Sequence, residues 1–130
     1  MNRKQARKAS ATAELAVCLP LIVFLILGGM EASNGVFVKQ GLTISAYETA
    51  KLATTVGFTP AQAEARGQQI LDAREITGGA IDINPPDVTS QAPGTAITVT
   101  VTAPAATNAV SPILFTGDTL VTARIVMNRN

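Results

Sequence analysis

Two carboxylates stand inside a stretch that is otherwise uncharged: from Ser10 to Val38 the only ionisable acids or bases are Glu14 and Glu31. A carboxylate at the edge of an apolar span is costly, and such a residue by default marks a contact with a nearby partner. The alternative is that Glu14 sits at headgroup level, close to Lys8, where it costs little; the residues alone leave both readings open. Glu31 lies about 25 Å further along a helix and marks the outer interface. Cys18 is the single cysteine, so no intramolecular disulfide forms, and it reads as an apolar filler. Histidine is absent, which removes the usual general base and the commonest metal ligand. Gly28-Gly29 has no Lys-Ser/Thr after it and is no phosphate loop. No acids and cysteines have metal-site spacing. Asp82-Ile-Asn-Pro-Pro-Asp87 reads as a solvated turn in preference to a cation site. The expectation is a non-enzyme with no catalytic residue, no cofactor and no metal.

The element that must carry Glu14 is the apolar run Leu15–Met30, of sixteen residues. With its uncharged flanks, Ser10 to Val38, it would form a helix of about 43 Å, enough to cross the hydrocarbon and both interfaces. Pro20 is tolerated better in such a helix than in water. A cleaved signal peptide fits the basic start, but Met30-Glu31-Ala32 offers a poor cleavage site. A lipoprotein signal would need a small residue before Cys18, where Val17 stands. A buried soluble helix would need a larger core than this Ala/Thr/Gly-rich chain provides. A membrane anchor is therefore expected at residues 10–38, after a basic leader at 1–9. Arg3, Lys4, Arg7 and Lys8 precede the run and Lys39 alone follows it closely, which puts the N-terminus in the cytoplasm and residues 39–130 outside. Beyond Ala32 seven acids face six bases, a balance that does not suggest nucleic-acid binding.

Downstream, Leu42, Ala46, Thr49, Ala53 and Val56 recur at helical spacing and predict that the helix continues, with Glu48 and Lys51 as an i,i+3 pair and Gly57 as the stop. Thr59-Pro60-x-Gln62 is a capping box with proline in the first position, opening a second helix to about Arg74 with Ala63, Ile70 and Leu71 inward. The period then changes. Ala80–Ile83 is a short strand. Ile97, Val99 and Val101 alternate with Ala96, Thr98 and Thr100; Val121, Ala123, Ile125 and Met127 share one face of a last strand. Loops fill Pro85–Thr95 and Pro104–Pro112. The result is an α+β chain, a long helix packed on a small antiparallel sheet.

The ordered set of basic residues, Ala9-Ser10-Ala11-Thr12-Ala13-Glu14-Leu15-Ala16, Pro20, an aliphatic run, then Gly28-Gly29 and Glu31 resembles the TadE-like pseudopilins of the tight-adherence (Flp-type) pilus system. Gln40-Gly-Leu-Thr-Ile-Ser-Ala-Tyr-Glu-Thr-Ala-Lys51 and Thr119–Met127 are also similar to family stretches. Ala9 stands where the family usually has Gly, and Leu15 where it usually has Phe. The resemblance implies a pilin-like domain with a three- or four-stranded antiparallel sheet. It also implies cleavage by a prepilin peptidase between Ala9 and Ser10, leaving Glu14 as the fifth residue, where its carboxylate can neutralise a neighbour's new ammonium. The implied role is that of a minor, non-catalytic pseudopilin in pilus assembly, adhesion or secretion. It would be a single-pass protein of the bacterial inner membrane, with other pilus subunits as partners. The competing reading is an independent membrane-tethered binding domain that shares only the anchor style.

Overall fold

A computed structural model describes residues 3–110 and 118–130, with side chains from Lys8 onward except Ala9. The side chains of Arg3, Lys4 and Arg7, and the last part of the expected Pro104–Pro112 loop, lie outside the described residues. Helix α1 spans Arg3–Thr54, 52 residues, with Pro20 inside it. At ~1.5 Å per residue it is about 78 Å long. Its two halves obey different rules. Among the described residues the first half has no element to bury against, and from Leu15 to Met30 its large apolar side chains are exposed, Leu27 partly so. The second half buries Val38, Leu42, Ser45, Ala46, Thr49, Ala50 and Ala53, a stripe at i, i+3 and i+4 spacing facing the rest of the chain.

Most of the expected stripe is thus buried, but Val56 is not: it is 67% exposed, because α1 ends at Thr54 and the chain turns away. Gly57 takes φ +95° in that turn, a conformation glycine adopts without steric cost. Helix α2, Pro60–Ala73, starts as its sequence dictates: Gln62 N–H donates to Thr59 Oγ1 and Thr59 N–H to Gln62 Oε1, closing the capping box. It buries Ala63, Gly67 and Leu71; Ile70, expected inward, is only half-buried. The i, i+4, i+8 row runs through Gly67, where α1 and α2 touch. There Ser45 Oγ donates to the Gly67 carbonyl at 3.0 Å. The α2 end is a Schellman motif: Glu75 takes φ 56°, its N–H donates to Asp72 O, and Ile76 N–H donates to Leu71 O. The Glu48 carboxylate meets Arg66 of α2 at 3.9 Å, where the sequence suggested Lys51. Such an exposed pair contributes little.

Three strands form one antiparallel sheet in the order β1 (Ala80–Asn84), β2 (Ala96–Pro104), β3 (Leu120–Asn128). Register places Ile83 beside Val99, and Val99 beside Ile125. Ile97, Val99, Val101 and Ala103 are fully buried against the helices, while the intervening threonines point to the other face. The core therefore lies between one helical layer and one sheet, an α+β arrangement. Strand β3 runs alongside α1. Lys39 Nζ donates to Thr122 O near one end, and Asn130 N–H donates to Thr54 O at the other. The sheet thus covers α1 from about residue 31 to residue 54 and leaves the apolar half bare.

Candidate functional site

The bare half of α1 is the feature that a folded soluble domain would not tolerate. Leu15, Val17, Leu19, Leu21, Phe24, Leu25 and their neighbours expose more than two-fifths of their surface each. Sequestering them from water is worth roughly 1.5–3 kcal/mol per large side chain. By length and composition this helix, which lies near the N-terminus, can cross a membrane. Cys18 lies on the same exposed segment.

Ser10 and Glu14 sit one turn apart at the start of that segment. Ser10 Oγ donates to Glu14 Oε1 at 3.2 Å, and both side chains are exposed. Thr12 Oγ1 turns back to the Lys8 carbonyl at 2.9 Å. Ala9 and Ser10 lie within α1, so the peptide bond between them is helical. With Ala13, Val17 and Cys18, the Ser10–Glu14 pair lines a shallow surface notch. A carboxylate, a hydroxyl and small apolar side chains on one open face can accept a cation or pack against another helix.

Glu31 differs from Glu14. The sequence marked it as an outer-interface residue; the structure buries it to 2% exposure beside Asn34, Gly35, Val38, Ala105 and Val121. It sits where α1 enters the domain, under the start of β3. Next to it, Asn108 of the short 3-10 helix Ala106–Asn108 joins three segments. Its Nδ2 donates to Thr77 O and Pro104 O, its Oδ1 accepts from Thr77 N–H, and its own carbonyl accepts from Asn34 Nδ2. Arg74 lies over the Phe37 ring, 5.7 Å from its centroid, at the side of the same cleft. No sequence signal pointed to Asn34, inside a helix, or to Asn108, in an expected loop where asparagine is usually a turn residue; the bond between them joins segments 74 residues apart.

The Asp82–Asp87 stretch does not gather its carboxylates. Asp82 lies in β1 opposite Thr100, while Asp87 accepts hydrogen bonds from Thr89 Oγ1 at 2.6 Å and Thr89 N–H at 3.1 Å. The Thr89 side chain, then Ser90, hold the Asp87 carboxyl below its ordinary range. Among the described residues no three His, Cys, Asp or Glu side chains come together as a metal site would need.

No curated protein and no solved structure matches the chain. The family model described as TadE-like protein matches residues 9–51, which run from the helical Ala9–Ser10 bond through Glu14 and Glu31 to the last turn of α1. Over that segment, which carries both the bare apolar helix and the docked one, the chain is similar to the TadE-like family.

Proposed function

We propose that this chain is a membrane-anchored, non-catalytic minor pseudopilin that takes part in assembling a Tad/Flp-type pilus or a related secretion apparatus. The observation that carries the reading is the exposed apolar half of α1 with Glu14 at its start, within the TadE-like match. In this reading the anchor spans the bacterial inner membrane once, with residues 1–9 in the cytoplasm and the α+β domain outside. A prepilin peptidase removes residues 1–9, and Ser10 becomes the N-terminus. Ser10 and Glu14 share one helix face. On parallel packing of apolar helices, the Glu14 carboxylate then neutralises the ammonium of a neighbouring subunit in a medium that strongly disfavours either charge alone.

The test is the intact mass and N-terminal sequence of the protein from cells that make the peptidase. A chain beginning at Ser10 is expected, and a bulky Ala9→Leu should leave residues 1–9 attached. Glu14→Ala should still insert, since it removes a charge from an apolar helix, yet should fail to support pilus assembly or secretion. A mature chain that keeps residues 1–9, together with a fully functional Glu14→Ala variant, would return the protein to the class of independent tethered binding domains.

A further inference from the structure

The outer domain has no stalk. Met30 is the last exposed residue of the apolar run, and the next, Glu31, is already buried against the sheet. Everything at that end of the domain therefore lies close to the plane where the apolar helix leaves it. Three connections fix which residues these are. Strand β3 begins at Leu120, next to Val121, which lines a small cavity with Glu31, Gly35 and Val38. Helix α2 ends with Arg74 over Phe37. The 3-10 helix holds Asn34 through Asn108 and leads to Val110.

At this level, among the described residues, large apolar side chains are exposed. Val110 is 60% exposed and Leu120 57% exposed, and Val36 and Phe37 of α1 are exposed as well. The heights agree with a bilayer. A hydrocarbon core takes ~20 helical residues, so a span centred on the apolar run ends about two residues beyond Met30. Phe37 then stands about 7 Å further out at ~1.5 Å per residue, within the headgroup layer. An aromatic ring with an arginine stacked on it suits that layer, the ring facing the acyl boundary and the guanidinium the phosphates. Glu75 and Asp118 at the same end are exposed acids, so net charge does not draw the rim to anionic lipid.

We propose that this rim, Val36, Phe37, Arg74, Val110 and Leu120, is a second membrane contact: the outer domain rests on the outer leaflet of the bilayer that α1 crosses. The contact is apolar, so it needs no anionic lipid and resists salt. It rests on the membrane-spanning reading above, and it fixes the orientation of the domain before any assembly partner arrives.

The chain contains no tryptophan, so a single introduced indole reports alone. Four full-length variants would be placed in two sets of phosphatidylcholine nanodiscs, one with acyl chains brominated near the headgroup to read the rim and one with them brominated near the chain ends to read the span: Phe24→Trp in the span, Val110→Trp and Leu120→Trp at the rim, and Val56→Trp at the far end of the domain. The rim variants and Phe24→Trp should lose emission relative to unbrominated lipid and emit to the blue of Val56→Trp, at low and at high salt. Rim variants that emit like Val56→Trp, while Phe24→Trp is quenched, would overturn the rim contact and leave the anchor standing. An unquenched Phe24→Trp would overturn the anchor and the rim together. Blue-shifted rim emission without bromine quenching would show a protein surface covering the rim, and would also overturn the proposal.

Discussion

Asn108 shows how one side chain can hold a junction that no local rule describes. Both protons of its amide go to carbonyls, of Thr77 and Pro104, and its oxygen takes the Thr77 N–H at 2.9 Å. Asn108→Ala would leave three backbone groups without these partners; the Pro104 bond is part-buried, and water reaches the Thr77 pair. A loss of about 0.5–1.5 kcal/mol is therefore expected. Asn108→Asp keeps the acceptor for Thr77 N–H but places a carboxylate against two carbonyl oxygens, so it should not restore stability. Thermal unfolding of the full chain in detergent, followed by near-ultraviolet dichroism of its tyrosine and phenylalanines, would show both. Glu14 belongs to the same scale with the opposite signature: it is exposed and bonds within its own chain to Ser10, so its loss should leave folding intact and act on assembly alone.

At the scale of elements, the α1–α2 contact depends on the absence of a side chain. A Cβ at Gly67 would come within 2.2 Å of Thr49 Oγ1 and 2.7 Å of Ile81 Cδ1, with Ser45 Oγ at 3.1 Å. The helices are close because Gly67, Ser45 and Thr49 are small, and the approach lets the Ser45 hydroxyl reach the Gly67 carbonyl. Gly67→Val should therefore push α2 off α1 and destabilise the domain by about 1–3 kcal/mol, the usual range for overpacking. Thr49 Oγ1 is buried with no hydrogen-bond partner among the described residues, so Thr49→Ala removes the obstacle and sacrifices no bond. Combined with Gly67→Val it should recover more than half of the loss, a favourable coupling that a double-mutant cycle in denaturant would measure.

At the scale of the whole molecule, one helix of 52 residues presents two kinds of surface. Its first half is matched to lipid and its second to a protein core, and the change occurs within one residue, between Met30 and Glu31. The direction of insertion should follow from the basic residues ahead of the span. A reporter that is active only outside the cytoplasm, fused after Asn130, should be active. Replacing Arg3, Lys4, Arg7 and Lys8 with glutamine should lower that activity severalfold, because the bias between the flanks is then reversed by Lys39. An inactive wild-type fusion would invert the topology proposed for the domain.

The sequence by itself determined the elements whose causes are local. The Thr59-to-Gln62 box needs contacts over three residues, the alternation of β2 is read from its own side chains, and the length of the apolar run is a count. These decided where α2 starts, which face of β2 is buried and that α1 can cross a membrane. The TadE-like resemblance was legible on the same stretch because its pattern lies within one continuous helix. Tertiary structure decided what depends on neighbours distant in sequence. Glu31 was legible as the charge that ends the apolar run, but its burial under the sheet was not; Val56 continued a helical stripe whose helix had already ended; Glu48 faced Arg66 of another helix in place of Lys51 on its own. Glu75 ended α2 in the left-handed conformation before the glycines at positions 78 and 79, because burial of Ile76 against the core rewards that turn. In each case the local pattern allowed more than one partner or face, and packing chose between them, since burial free energy depends on which surfaces meet and not on their order along the chain.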